Sequence, residues 1–179
     1  EISRKVRNIL REATDVIEPL SLDEAYLDVT ENKLNEPSAK RVAVYLKSRI
    51  KGSLGLTASA GVAQVKFLAK IASDMNKPDG LTVIPPSAVD EFVLALPVEK
   101  LWSVGPATAK KLHALGLRTA ADLRQREKWE MVKGFGKHGA FLHDLAFGID
   151  RRSVEADREP KSRGTEETFE TDVLDVEKL

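Results

Sequence analysis

The chain has 179 residues, 42% hydrophobic and 31% charged, which is an ordinary globular composition with room for one large core or two small ones. No window approaches the ~20 apolar residues that span a bilayer, and no apolar stretch follows the charges of Glu1-Ile2-Ser3-Arg4-Lys5, so neither a membrane helix nor a signal peptide is read. The absence of cysteine excludes disulfides and thiolate metal sites and fits a reducing, cytoplasmic setting, while 28 basic against 28 acidic side chains leave no overall basic excess for nucleic acid.

Charge is less even locally. Lys66, Lys70 and Lys77 cluster, as do Lys110 with Lys111, Arg151 with Arg152, and Lys161 with Arg163. Acids from Glu166 to Glu177 crowd the C-terminal end. Each basic cluster taken alone reads as a solvated face. Position 1 is not Met and the first residues already read as helix, so the chain is expected to be an internal piece with its true start upstream.

In chain order, residues 2–14 carry apolar side chains at helical spacing (Ile2, Val6, Ile9, Leu10, Ala13). Val16 to Leu20 is a short extended run with Pro19 marking an edge or an end. Ser21 to Glu24 is a turn, and Ala25 to Thr30 alternates as a strand, so the whole predicts a β-hairpin with two acids at its tip. Ser38 is placed to cap a helix through about Lys51, with Val42, Leu46 and Ile50 inward. Residues 56–62 predict a strand, and residues 64–76 a helix with Val65, Leu68, Ala69, Ala72 and Met75 facing the core. Lys77-Pro78-Asp79-Gly80 is a turn before a strand at 81–84. This order makes an α+β layer, a sheet with helices on one side.

Pro85-Pro86 marks a change of regime, and residues 87–152 predict only short helices. Ser87 with Asp90, and Thr119 with Asp122, read as capping-box variants, and Gly116 suits the position after a helix end. Trp102, Trp129, Phe141 and Phe147 are expected in the core of this all-α part. Residues 165–173 read as a strand opening a third element.

Asp23 and Glu24 carry the first chemical signal. Adjacent acids point to opposite faces of a regular strand, but at a turn they converge, and carboxylates a few ångström apart repel unless a cation lies between them. Mg²⁺ suits such a pair, since it takes oxygen ligands from one or two carboxylates and from substrate phosphates. On spacing alone the pair is most simply a polar turn. The longer string Ser21-Leu22-Asp23-Glu24-Ala25-Tyr26-Leu27-Asp28-Val29, however, resembles the second catalytic motif of Y-family, lesion-bypass DNA polymerases, of the bacterial DNA polymerase IV type. The resemblance implies that Asp23 and Glu24 are catalytic ligands of two magnesium ions. Asp23 then helps hold both, and Glu24 holds the one that activates the primer 3′-hydroxyl. A further Asp, the fingers and the steric-gate aromatic are expected upstream of Glu1, so the fragment alone is expected to be inactive.

A second string, Gly61-Val62-Ala63-Gln64-Val65-Lys66-Phe67-Leu68-Ala69-Lys70 through Asn76-Lys77-Pro78-Asp79-Gly80, resembles the family's palm helix and following turn, with Val65 where the family usually has Asn. The resemblance implies that Lys66 contacts the triphosphate of the incoming nucleotide, a task suited to a point-charge ammonium. Without it, Lys66 reads as a solvated helix lysine. Lys70 is read as the i, i+4 partner of Asp74.

A third string, Leu101-Trp102-Ser103-Val104-Gly105-Pro106-Ala107-Thr108-Ala109-Lys110-Lys111-Leu112, resembles a helix-hairpin-helix with Ser103 in place of the first glycine. A tight turn opening a helix aims free N–H groups at phosphate, and Pro106 fits the first helical position. Val104, Gly105 and Ala107 are the expected phosphate-facing positions, with Lys110 or Lys111 nearby; a turn used only for packing is the other reading. Lys133-Gly134-Phe135-Gly136-Lys137 and Gly148-Ile149-Asp150 resemble the end of the polymerase thumb, and Lys161 to Phe169 the start of the little finger, where Lys161 and Arg163 are candidate template-phosphate contacts.

The expected organisation is a palm remainder at 1–86, a thumb with the helix-hairpin-helix at 87–157, and a linker with the little-finger start at 158–179. The implied activity is two-metal nucleotidyl transfer to a primer end in translesion synthesis. The implied partners are primer-template DNA, deoxynucleoside triphosphates and a sliding clamp, for a monomer with no membrane association. A non-catalytic DNA-binding relative stands as the alternative, and a nucleotide cyclase with the same palm topology as a third. The former is expected to have lost the acids, and the latter to carry glycines where Ser21-Leu22 stands.

Overall fold

The structure is a computed structural model that describes residues 1–156. The expectations for Lys161, Arg163, the strand at 165–173 and the little-finger start lie outside the described residues.

Helix α1 (Ile2–Leu10) packs on α2 (Ala39–Leu54). The Ser38 hydroxyl accepts the Arg41 N–H at 3.4 Å, and the helix closes at Gly55, whose φ of 69° suits a residue with no β-carbon. Val42, Leu46 and Ile50 recur on one face and bury against Ile9 and Ala13, as their spacing requires. Glu12 ties the two helices, accepting from Arg49 Nη2 at 2.8 Å and from the Tyr45 hydroxyl at 2.7 Å. The Arg49 guanidinium holds its carboxyl at about 2.

Strands β1 (Ile17–Pro19) and β2 (Ala25–Leu27) form the expected antiparallel hairpin, with Ile17 opposite Leu27 and Glu18 opposite Tyr26. Strands β3 (Ala60–Val62) and β4 (Leu81–Val83) are parallel, and α3 (Lys66–Met75) is their crossover. Among the described residues the strands thus pair as two ladders, within the expected α+β class. Gly61 permits the close approach of β3 to α3, since a β-carbon there would collide with the Ala69 carbonyl and the Ser73 N–H. Lys47 ties α2 to the segment before β3 through the Ala58 carbonyl (2.7 Å) and to the turn before β4 through the Asp79 carboxylate (2.6 Å).

Phe67, Leu68 and Ala72 are the buried apolar residues of α3. Met75, expected inside, is 53% exposed, because it is the last helical residue and the chain turns away there toward Pro78.

Beyond Pro85 a short 3₁₀ turn, Pro86–Ala88, leads into α4 (Val89–Leu94). Ser87 lies inside that turn and caps nothing; Ala88 is the cap residue and makes no side-chain bond. Helices α5 (Pro106–Ala114) and α6 (Ala120–Arg124) follow, the second opened by the expected Thr119–Asp122 capping box. Gly116, with φ of 77°, turns the chain between them. Helix α7 (Lys128–Ala146) breaks at Gly136 (φ 60°, ψ −145°), so it is two shorter helices end to end.

One hydrophobic cluster runs across Pro85-Pro86, joining Phe67, Leu68 and Ile84 to Val93, Leu112, Leu123, Leu142 and Leu145. Trp102 and Phe141 pack against its margin. Trp129 (63% exposed) and Phe147 (43% exposed) do not, contrary to the expectation for all four aromatics. Trp129 stands two residues before buried Met131, which places it on the opposite side of the helix.

After α7 the chain returns across α3. The buried Asp150 carboxylate accepts the Phe67 N–H at 3.2 Å and the Arg152 guanidinium at 2.8 and 2.7 Å. Burial alone would raise this carboxyl, but the bonds from Arg152 and Phe67 outweigh it and hold it below the usual carboxylate range. A depressed folded-state value means that the stabilisation is complete above the unfolded value of about 4 and is lost as pH falls through the folded value. Asp150→Asn should therefore destabilise by about 3 kcal/mol at neutral pH, a gap that persists from pH 8 to 5 and closes in strong acid. Denaturant midpoints across that range check it, and a gap independent of pH down to pH 2 would exclude the charged pair as its source.

Candidate active site and nucleic-acid interface

The hairpin tip is built by Ser21. Its hydroxyl donates to Asp23 Oδ1 at 2.6 Å and accepts the N–H groups of Asp23 and Glu24 at 3.3 and 3.2 Å. Ser3 on α1 anchors the same turn by donating to the Leu22 carbonyl at 2.6 Å. Asp23 is exposed, and its carboxyl is held below the usual range by the Ser21 hydroxyl and its own N–H, with smaller help from Lys77 and Lys70. It is therefore ionised and open to a cation at neutral pH.

Glu24 Oε1 accepts from Lys70 Nζ at 2.6 Å; Lys70 reaches Asp74 at 3.0 Å, and Asp74 reaches Lys77 at 2.6 Å. Alternating charge thus runs from the hairpin tip along α3. Burial opposes the charge on Lys70, but the bonds to Glu24 and Asp74 outweigh it and raise the ammonium above its ordinary value. The Lys70–Asp74 pair follows from helical spacing. The reach of Lys70 to Glu24 and the nearness of Lys77 to Asp23 depend on how the hairpin lies against α3, which no local pattern encodes.

Lys66 is placed otherwise than expected. It is 8% exposed, donates to Glu18 Oε2 at 2.5 Å and to the Ser153 carbonyl at 3.0 Å, and lies 4.9 Å from the centre of the Tyr26 ring. Glu18 also accepts the Glu155 N–H at 2.8 Å. A triphosphate contact by Lys66 would require drawing this ammonium out of a buried pair and away from the Ser153 carbonyl and the Tyr26 ring, which is unfavourable. The cations that flank Asp23 and Glu24 are Lys70 and Lys77. The signal missed was Glu18, an acid inside an apolar strand directly opposite Tyr26.

Asp23 and Glu24 present hard oxygen donors at an exposed tip, and this chemistry fits Mg²⁺. Among the described residues no group of three His, Asp or Glu side chains converges for a metal.

In the helical part the turn at 101–105 delivers the chain into α5. Pro106 takes the first helical position, as expected, and Gly105 precedes it with no side-chain cap. The first-turn N–H groups, including that of Ala107, have no intrahelical acceptor and face outward at the positive end of the helix. Gly105, Ala107, Lys110 and Lys111 are exposed on this side. One expectation changes. Val104 N–H donates to the Leu101 carbonyl at 3.2 Å and closes the turn rather than facing phosphate. The positive φ sits at Ser103 (67°), whereas Gly105 has φ −88° with nothing within 4 Å of a built β-carbon. The left-handed conformation at position 103 is one that glycine adopts freely and that Ser103 meets under strain. The Ser103 hydroxyl donates to the Trp102 carbonyl at 2.5 Å and lies 2.9 Å from His138 Nε2.

An exposed carboxylate pair on an α+β lobe, followed by a hairpin module with outward N–H groups, has the build of a Y-family DNA polymerase core. Comparisons with known proteins agree. The sequence profile of the impB/mucB/samB family matches residues 1–74, and that of the HHH motif of the same family matches residues 86–117. DNA polymerase IV 3 of Mesorhizobium japonicum is 51% identical over 176 residues, covering 98% of this chain and 49% of that protein. DNA polymerase IV of a Shewanella species is 50% identical, covering 99% and 49%. Among solved structures, DinB from Sulfolobus solfataricus superposes with a TM-score of 0.77 at 34% identity, covering 87% of this chain and 46% of that one. An insertion ternary complex of Dbh DNA polymerase gives 0.78 at 34%, covering 86% and 45%. The chain is thus similar to members of the impB/mucB/samB family over both matched segments. It spans about half the length of the curated relatives it matches.

Lys66→Met breaks the buried pair with Glu18 and removes the hydrogen bond to the Ser153 carbonyl, and should lower stability by about 3 kcal/mol. Denaturant unfolding tests this, and an unchanged midpoint would mean that the pair contributes nothing.

Proposed function

We propose that, in the intact protein, this chain forms part of a template-directed DNA polymerase of the translesion type, with residues 1–86 as the palm remainder, 87–157 as the thumb and 158–179 as the linker and little-finger start. The observation that carries the reading is the exposed, ionised Asp23 beside Glu24 on a hairpin tip flanked by Lys70 and Lys77. Bound there with a further upstream carboxylate, two magnesium ions would activate the primer 3′-hydroxyl and neutralise charge on the transferring phosphoryl group. Asp23 and Glu24 hold the metal site, and Ser21 fixes their backbone. Lys70 orients Glu24. Lys77, exposed near the tip, is the cation with room to meet a polyphosphate, the task that the family resemblance gives to Lys66.

The α5 turn supports the second half of the reading. Backbone N–H groups of Gly105 and Ala107, with Lys110 and Lys111, grip phosphate without reading base identity, which suits an enzyme that copies any template. Lys161 and Arg163, which lie outside the described residues, are further candidate template-phosphate contacts in this reading. Primer-template DNA and deoxynucleoside triphosphates are the substrates, and a sliding clamp the partner. The protein acts as a cytoplasmic monomer. No described helix is long and apolar enough to cross a membrane.

In the full-length protein, Asp23→Ala and Glu24→Ala should each remove nearly all primer extension while leaving primer-template affinity within about twofold, since the metal stabilises the transferring group rather than the duplex. Near wild-type extension by both variants would overturn their assignment as metal ligands.

Gly105→Val places a β-branched side chain where phosphate must approach, at a backbone conformation that any residue adopts, so helix content should hold by circular dichroism. Affinity should drop to a similar degree for all duplex sequences. Lys110→Ala with Lys111→Ala should lower the salt slope by up to ~0.9 for each phosphate left without its cation. A folded Gly105→Val variant with unaltered affinity would make the turn a packing element only.

A further inference from the structure

The segment that leaves α7 touches both halves of the proposed site. Asp150 accepts the Phe67 N–H at the start of α3 (3.2 Å), and it holds Arg152 through a forked pair of bonds at 2.8 and 2.7 Å. The guanidinium so fixed lies between two rings of the helical part, 4.8 Å from the centre of Trp102 and 5.3 Å from that of Phe141. Trp102 in turn meets the Tyr26 ring edge-on at 6.4 Å. Tyr26 lies two residues beyond Glu24 on the hairpin, and Trp102 immediately precedes Ser103, whose φ of 67° shapes the turn into α5.

The contacts therefore form a continuous path from the hairpin bearing Asp23 and Glu24, through Tyr26 and Trp102, to Arg152, Asp150 and the N-terminus of α3. Arg152 is the member that joins Asp150 to the rings of Trp102 and Phe141. Its charge lies near both rings and its fork serves Asp150, a combination that a lysine ammonium does not reproduce. It is 31% exposed in its side chain while Asp150 is fully covered, so the pair is anchored from the inside.

The structure assigns to Arg152 the role of a positioning residue that sets the turn at 101–105 against the hairpin carrying Asp23 and Glu24, and so registers the gripped duplex with the reacting centre. This rests on the polymerase reading above. Arg152 touches neither carboxylate, so its effect must arise through placement. Displacements of about 1 Å between a positioned substrate and its catalytic groups cost up to about 100-fold in rate.

The test uses full-length protein with Arg152→Lys, which keeps the charge but loses the fork. Single-turnover extension at saturating primer-template and nucleotide should fall about tenfold or more, with DNA affinity within about threefold and the salt slope unchanged. Phe141→Leu should reproduce a smaller part of the loss. Its effect should be largely absent in the Arg152→Lys background, because both act on one contact. Wild-type turnover of folded Arg152→Lys, with only its melting temperature lowered, would overturn the inference and leave a purely structural residue. Weaker affinity with a reduced salt slope would also overturn it, identifying Arg152 as a phosphate ligand. Should Arg152→Lys fail to fold, turnover and salt slope of Phe141→Leu and Trp102→Phe decide by the same criteria. Wild-type protein that extends no primer overturns both this inference and the polymerase reading; extension by wild type with undiminished Arg152→Lys turnover overturns this one alone.

Discussion

The buried contact between Glu18 and Lys66 is the constraint around which the site is arranged. It joins a strand, the start of the crossover helix and the segment that leaves the last helix, which are far apart in sequence. Removing both charges from water is expensive, and their attraction alone does not offset it. The surroundings help make up the difference: the Ser153 carbonyl accepts a hydrogen bond from Lys66, the Glu155 N–H donates to Glu18, and the Tyr26 ring lies beside the ammonium. Such a cluster tolerates no half-formed state, so the hairpin is held in one position against α3. Lys70, one helical turn beyond Lys66, then falls within reach of Glu24.

The placement divides the carboxylates into two kinds. Glu18 and Asp150 are buried and engaged by donors from distant segments, and they hold the architecture. Asp23 is exposed and kept ionised by a neighbouring hydroxyl and an N–H, neither of which would have to be displaced for a cation to approach its outer face. Lys70 at Glu24 is a competitor of a different sort, for it must yield or tilt toward Asp74 if Glu24 is to share in a metal site. A lysine bonded to both acids keeps its Asp74 contact when it releases Glu24.

Local chemistry is legible in the sequence wherever it acts within a few residues. The Ser38 cap, the Thr119–Asp122 box, the turn at Gly116 and the inward face of α2 each follow from spacing. The hairpin and its two acids are equally readable, since the strand pattern and the turn lie side by side. Lys66 escapes such reasoning because its partners at 18, 153 and 155 come together only in the fold. Ser103 shows a subtler limit. A departure from glycine reads as a weakened motif, yet the backbone keeps the left-handed conformation and the serine accepts the strain, with its hydroxyl turned to Trp102 and His138. The exposure of Met75 and Trp129 follows from helix ends and helix phase, which periodicity fixes only to within a residue or two.

Val65 is where local and remote chemistry meet. It occupies the N-cap of α3 with extended φ and ψ and makes no side-chain cap, where the family pattern usually has Asn, a strong capping residue. A valine there leaves the first-turn donors of α3 without a local acceptor. Asp150 supplies one from across the molecule, at the N–H of Phe67. A negative charge at a helix N-terminus also interacts favourably with the helix dipole, so the remote cap does electrostatically what the local one would do by hydrogen bonding alone. The exchange has a consequence for mechanical coupling. A local cap would make the start of α3 self-sufficient, whereas a cap delivered by the segment after α7 makes it depend on where the helical part sits. The same carboxylate fixes Arg152 against Trp102, so the helix that carries Lys70 and the turn that opens α5 are held through a single buried group.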